Sequence, residues 1–305
     1  MNLRIGSRGS QLALWQSEWA KAQLLKTHAG LSVEIEVIKT TGDANLAASF
    51  SEIGSKGVFT KEVDEALLSG RTDFSVHSLK DLPTTLPDGL ILTAVSPRED
   101  VRDALCSRES STLSDLPEGA KVGTSSLRRQ ALLRSERPDL ELVALRGNVD
   151  TRLKKLETEE MAAIVLAGAG LNRLGLGEHI SDLLDPESFT PAAGQGVMAI
   201  VSREGDDDTN ELLSILEDSD SRHAVTAERQ ALADLGGGCR IPFGAWARNE
   251  GGELVVDGVV AHPDRGGPVR GKVIGDPSEA AVLGSELAGL LLDGGGGDIL
   301  KEVLV

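Results

Sequence analysis

Two arginines in the first turn of a helix are electrostatically out of place. In GTSSLRRQALL, residues 123–133, a strand ends in Gly123, and Thr124, Ser125 and Ser126 read as a helix start with Arg128 and Arg129 just inside it. The free N–H groups and dipole of a helix amino terminus attract anions and repel cations. A bound anion reverses that penalty, so the segment predicts a carboxylate or phosphate site. RGNVDTR, residues 146–152, repeats the arrangement, with Arg146 at a strand end and Arg152 in the following helix; LNRLG adds Arg173 after a third strand. Ten of the 20 arginines fall between Arg98 and Arg173, a quarter of the chain. Guanidinium groups pair bidentately with carboxylates, so the cluster suits a polyanion and foremost a polycarboxylate. The alternative is a set of solvated helix faces.

A second constellation is VHSLKDLPTTLPDG, residues 76–89. It follows a strand pattern, which puts Lys80 and Asp81 at the carboxyl end of a sheet, where open α/β folds place ligands. With Pro83 and Pro87 stiffening the loop, Asp81 suits a general acid/base or a stabiliser of cationic charge; the plain alternative is a solvated Lys-Asp turn. A third is LGGGCRIPFG, residues 235–244, where Cys239 stands behind three glycines, a place for tight bending or close approach. The other cysteine, Cys106, is far away in sequence, and no C-x-x-C or cysteine-histidine spacing predicts a structural disulfide or a metal site. No phosphate loop of the G-x-x-x-x-G-K-[ST] type occurs, and GAGLNRLG lacks the context of a dinucleotide fingerprint.

The formal charge is −17, which argues against nucleic-acid partners, since these need basic stripes. No apolar run approaches the roughly 18 residues of a membrane span, and MNLRIGSRGSQ reads as strand and turn rather than as a targeting segment, so a cytoplasmic protein is expected. The acidic excess resembles salt adaptation. Self-repulsion acts over a Debye length of about 30 Å at 0.01 M salt but only about 3 Å at 1 M. The melting temperature is therefore expected to rise with potassium chloride, and a value unchanged or lower in molar salt would refute the adaptation.

The elements that must position these residues alternate. LRIGS, VEIEVIKT, FSVHS and LILTAVS read as strands, with helices over SQLALWQSEWAKAQLLKTHA (capped by Ser10) and TKEVDEALLSG (capped by Thr60). PREDVRDAL reads as a charged connection to a second unit with strands AKVGTSS, LELVALRG and AAIVLAGAG and helices over SLRRQALLRSER, NVDTRLKKLETEE and LNRLGLGEHI. VMAIVSRE is a strand able to return to the first sheet. The helix SRHAVTAERQALADL, three hairpin-rich strands and the helix EAAVLGSELAGLLLD then form a smaller α+β unit, and DGGGGD, residues 293–298, reads as a flexible turn. The expected domains are 1–97 with 197–216, 102–191, and 220–305, the first two being α/β lobes around a hinged cleft.

Together SRGSQLALWQ, SKGVFTKE, HSLKDLP, GTSSLRRQ, LRGNVDTRL, PAAGQG and GGGCRIPFG resemble the porphobilinogen deaminase family from residue 4 to about residue 290. The resemblance implies a transferase of tetrapyrrole (heme and porphyrin) biosynthesis with two periplasmic-binding-protein-like α/β domains and a small C-terminal α+β domain. It implies a dipyrromethane cofactor joined to Cys239 by a thioether, and the head-to-tail condensation of four porphobilinogen molecules with loss of ammonia, followed by hydrolytic release of hydroxymethylbilane. Asp81 would stabilise the azafulvene cation; Lys80, Asp81, Ser126, Arg128, Arg129 and Arg146 would hold the cofactor. Arg8, Ser10, Arg146, Arg152 and Arg173 would hold substrate carboxylates, with Lys56 and Phe59 on a mobile loop. A monomer needing no metal, nucleic acid or membrane is implied. Two rival classes remain at this point: a two-lobed carboxylate-binding protein, excluded by ammonia release from porphobilinogen, and a cysteine acyltransferase, which would form a hydroxylamine-labile adduct.

Overall fold

Leu3 and Ile5 alternate with Asn2 and Arg4, and this period of two makes β1 (Asn2–Arg8) a strand with one face in the core. The computed structural model describes residues 1–40, 60–109, 111–238 and 241–304. After β1 come α1 (Gln11–Thr27), β2 (Ser32–Ile38), α2 (Lys61–Leu68), β3 (Phe74–Ser78) and β4 (Leu90–Val95). Ser10 caps α1, its hydroxyl oxygen accepting from the Ala13 N–H at 3.3 Å. Ala13, Gln16, Ser17, Ala20 and Leu24 form the buried stripe of α1. Thr60, expected to cap α2, has helical backbone angles and makes no capping bond; Glu62 and Asp64 in the first turn complement the dipole instead.

The segment expected to be a charged connection contains a strand. β5 (Asp103–Ser107) starts inside PREDVRDAL and is followed by β6 (Lys121–Gly123), α3 (Leu127–Glu136), β7 (Glu141–Val143), α4 (Val149–Thr158), β8 (Ala163–Ala167), α5 (Gly168–Arg173) and β9 (Asp182–Leu183). The helix read over LNRLGLGEHI starts three residues earlier and stops at Arg173, leaving a single 3-10 turn at Gly177–His179. Then β10 (Met198–Arg203), α6 (Asp207–Leu213) and α7 (Ser219–Asp234) lead to β11 (Phe243–Glu250), β12 (Glu253–His262), β13 (Gly266–Gly275), α8 (Ala280–Leu291) and α9 (Gly297–Leu304). The glycine run is not a loose turn: residues 292–296 keep a helical course with one kink, at Gly295 (φ 101°), a left-handed angle that suits glycine.

The chain divides into two compact units, Met1–Arg98 with Val197–Arg222, and Glu99–Gly196 with His223–Val305. The first holds a five-stranded sheet in the order β2-β1-β3-β10-β4, the second a five-stranded sheet in the order β7-β6-β8-β5-β9. The two orders are the same pattern. In each, three parallel strands are followed by one antiparallel strand, and that strand is the segment that has just crossed between the units, β10 in the first and β5 in the second. The second unit also carries the antiparallel sheet β11-β12-β13. Its apolar face, with Ala245, Val256 and Val260, packs with Leu283 and Leu287 of α8 and Ala227 and Ala231 of α7 into a core of its own. A second core in that unit gathers Leu105, Val122, Leu132 and Val165. Among the described residues no helix is long and apolar enough to cross a membrane.

Candidate active site

Both five-stranded sheets reverse strand order beside the first of their three parallel strands, and ligands of open α/β sheets sit beyond the carboxyl ends at such points. In the first unit the reversal lies between β1 and β3, whose parallel register pairs Ile5 with Phe74 and Gly6 with Ser75. Continuing that register brings Arg8, at the end of β1, level with His77. The Leu79–Asp81 turn follows β3 directly. Its leucine and the next residue, Leu82, are buried, and the Leu79 N–H donates to the Val197 carbonyl at 3.0 Å. Two buried anchors thus present Lys80, half-buried, and Asp81, exposed, on a turn closed by the Leu82 N–H to the Leu79 carbonyl. Arg8, Ser10, Lys80 and Asp81 therefore share one end of the sheet.

His77 is buried beside them, with Nε2 2.9 Å from Ser75 Oγ. Burial first, and the Arg8 guanidinium second, push its imidazolium down to about 4, so the ring is neutral at physiological pH and adds no charge there. Sequence reasoning left this histidine without a role.

In the second unit the reversal lies between β6 and β8. Ser126 caps α3, its hydroxyl oxygen accepting from the Arg129 N–H at 3.4 Å. Ser125 ties the loop after β6 to the loop after β7 by donating to the Leu145 carbonyl and accepting from the Leu145 N–H, each at 3.0 Å. Arg146 follows that staple, and Arg152 is aimed by Nε donating to the Gly147 carbonyl at 2.7 Å.

Arg128 and Arg129 are buried, at 4% and 6% exposure, and both converge on Asp103, which has none. Arg128 Nη1 lies 2.7 Å from Asp103 Oδ2 and donates to the Thr190 carbonyl at 2.8 Å. Among the described residues no hydrogen bond is made by its Nε or Nη2. Arg129 donates from Nε and Nη2 to Asp103 Oδ1 at 3.1 and 2.7 Å, and from Nη1 to the Val165 carbonyl at 2.9 Å. Burial alone would raise the Asp103 carboxyl; the two guanidinium groups outweigh it and hold it below the usual carboxylate range. Two cations and one anion leave a buried excess of one positive charge beside a helix amino terminus.

The loop 190–196 completes the arrangement. Gln195 Nε2 donates to Asp103 Oδ1 at 2.9 Å and to the Val101 carbonyl at 2.8 Å, and Arg173 Nη2 donates to the Gly196 carbonyl at 2.6 Å. Burial pushes the Arg173 guanidinium down to about 10 against an opposing pull from Glu99, which leaves it charged at neutral pH. Asp103 and Gln195 were missed by sequence reasoning; the signal that could have found Asp103 is the apolar run Ala104, Leu105, Cys106 directly behind it.

Cys106 lies on β5 with 1% exposure and forms no disulfide. Burial pushes its thiol up to about 12, with a weaker opposing effect from Arg129. Such a thiol holds almost no thiolate near neutrality and is inert. Lys56, Phe59 and Cys239 lie outside the described residues. Among the described residues no group of three or more His, Cys, Asp or Glu side chains is placed to hold a metal.

The family profile "Porphobilinogen deaminase, dipyromethane cofactor binding domain" matches residues 3–211, and "Porphobilinogen deaminase, C-terminal domain" matches residues 223–293. A porphobilinogen deaminase of Roseiflexus castenholzii is 50% identical over 299 residues, covering 98% of each chain. One of Syntrophotalea carbinolica is 48% identical over 301 residues, covering 99% of this chain and 96% of that one. Among solved structures, a TRAP periplasmic solute binding protein of Desulfovibrio salexigens matches at 14% identity with a TM-score of 0.42, covering 71% of this chain and 72% of that one. With both profiles matched in order and near-full-length relatives at half identity, the chain belongs to the porphobilinogen deaminase family, enzymes of the transferase class.

Proposed function

We propose that the chain condenses four porphobilinogen molecules head to tail and releases hydroxymethylbilane by hydrolysis, with Asp81 as its catalytic carboxylate and the arginines of the second unit as carboxylate holders. In each condensation the aminomethyl C–N bond breaks and ammonia leaves. The methylene carbon of that substrate then bonds to the free α-carbon of the terminal pyrrole of the enzyme-bound chain, which loses its proton. Every pyrrole carries an acetate and a propionate, so the growing chain is a polycarboxylate. The observation that carries the reading is the buried excess of positive charge on Arg128, Arg129 and Asp103 at the carboxyl end of a sheet.

The same observation tests the fit of the cofactor. A dipyrromethane bears carboxylates, and among the described residues Arg128 makes no hydrogen bond from Nε or Nη2, the edge that makes a bidentate fork. The residues fit. Ser126, Arg128, Arg129, Arg146, Lys80 and Asp81 would hold the group, Cys239 would carry it, and it would supply the primer that remains when product leaves. Asp81, exposed on its anchored turn, accepts pyrrole N–H groups and stabilises the cation left on the substrate by deamination. Arg8, Ser10, Arg146, Arg152 and Arg173 hold substrate carboxylates, and Ser10 can donate its hydroxyl hydrogen while its oxygen serves as the cap. Ammonia and a linear tetrapyrrole formed from porphobilinogen by the purified chain test the reading; porphobilinogen bound but unconsumed would refute it.

Replacing Arg128 or Arg146 by leucine removes a charge-assisted contact, about 1.5–3 kcal/mol, and is expected to weaken substrate or cofactor handling roughly ten- to a hundredfold. Arg265→Leu is the control. That side chain is largely exposed and pairs with Glu302 at 2.6 Å, a surface contact of small consequence. Equal small effects in all three variants, measured as kcat/KM, would mean that the arginines are solvated faces. The reading also divides the second unit at its two cores, giving domains 102–191 and 220–305 beside 1–97 with 197–216, and takes the protein as a cytoplasmic monomer.

A further inference from the structure

We propose that Asp103 is a positioning residue for the reaction. It pins Arg128 by Nη1, so that the Nε–Nη2 edge stays open to a carboxylate, and it limits the excess charge of the cluster to one. The inference rests on the reading that Arg128 takes a carboxylate of the pyrrole chain.

Asp103 is fully buried, so it reaches a ligand only through another group. Three side chains close on it: Arg128 on Oδ2, and Arg129 and Gln195 on Oδ1. The two arginines are adjacent in the first turn of α3, and each disfavours the charge of the other. Burial, more than any neighbour, lowers the guanidinium of Arg128, and the Asp103 carboxylate opposes that trend.

The three partners differ in what they leave over. Arg129 is bound on Nε, Nη2 and Nη1. Among the described residues Arg128 has both its polar contacts on Nη1, with Asp103 and with the Thr190 carbonyl. A guanidinium gripped at one nitrogen from two directions cannot turn about its long side chain, and the fork of Nε and Nη2 is the part that remains to bind. Without the carboxylate, Thr190 alone would hold Arg128 while Arg129 repelled it.

The test compares Asp103→Asn, which keeps shape and loses charge, with Arg128→Gln. The readouts are the fraction of purified chains carrying the dipyrromethane mass, the thermal melt, and KM against kcat for porphobilinogen in the loaded fraction. Asp103→Asn is expected to melt cooperatively, to carry roughly tenfold less adduct, about what one charge-assisted contact contributes, and to raise KM with kcat little changed. If Asp103→Asn does not fold, the double variant Asp103→Asn/Arg129→Gln restores the single positive charge but not the grip on Arg128, and loading is expected to stay low. Wild-type loading and KM in either folded variant would overturn the inference. So would a double variant that also fails to fold, because Asp103 would then serve the core alone. Normal loading in Arg128→Gln would instead overturn the carboxylate reading. Loss in Arg128→Gln beside normal behaviour in Asp103→Asn would sink only the role given to Asp103.

Discussion

Asp81→Asn is expected to lower kcat by two to three orders of magnitude, about what loss of one charge-stabilising group costs in a preorganised site, while leaving the fold intact. The carboxylate is exposed, and the turn that presents it is held by its neighbours: buried Leu79 and Leu82, and the Leu79 N–H to the Val197 carbonyl. Asparagine has the same shape and breaks none of these contacts, so the melting temperature should hold, as for most surface changes of less than about 0.5 kcal/mol. What it lacks is the negative charge opposite a pyrrole that turns cationic when ammonia departs. A ground-state binding role would show in KM, whereas a role confined to the transition state lowers kcat and kcat/KM together. Steady-state turnover, the melt and the intact mass of one preparation separate the cases. Near-normal turnover in a folded, cofactor-bearing Asp81→Asn protein would remove Asp81 from the mechanism.

How much of this was legible in the sequence depended on whether the signal was local. Strands β1 to β3 and β10 were readable because apolar alternation or short apolar runs sit between turn residues. The anion-binding character of α3 was readable because two arginines in a first turn contradict the helix dipole within five residues of sequence. Their partner was not, since Asp103 lies 26 residues from Arg129. It also opens a five-residue strand whose buried run, Ala104 to Cys106, stands behind a stretch charged enough to read as a connection. The same limit applies to DGGGGD, where composition suggests freedom but the helices on both sides fix the path. Family resemblance supplied the roles of Lys80, Ser126 and Arg146; the register of β1 with β3 is the physical reason that Arg8 and Lys80 share an edge of the first sheet, and the Ser125 staple the reason that Ser126 and Arg146 share an edge of the second. Arginines expected to lie open for ligand proved to be partly engaged already, which single residues and spacings could not reveal.

Cys239→Ser is expected to abolish both the adduct and turnover. Of the two cysteines, Cys106 is buried with its thiol pushed up to about 12, so it offers neither access nor thiolate. Cys239 follows α7 and three glycines whose reasons differ. Gly236 takes a left-handed φ of 71° as its N–H bonds the Ala233 carbonyl, and a Cβ on Gly237 would lie 2.3 Å from Ile241 Cδ1. Those two glycines answer to helix termination and packing, not to a ligand. Among the described residues a Cβ on Gly238 would meet nothing within 4 Å, so packing against them does not account for this third glycine. One alkylation in the life of the protein needs only occasional thiolate and an electrophile held alongside by the arginines. Intact-protein mass spectrometry should therefore show a dipyrromethane on the wild-type chain that survives hydroxylamine, is missing from Cys239→Ser and is unchanged in Cys106→Ser. A group bound to the folded state alone stabilises it, so Cys239→Ser should also melt lower and be cut faster by protease. An unmodified mass in fully active wild-type protein would show that the primer is held without a covalent bond, and would remove Cys239 from the site.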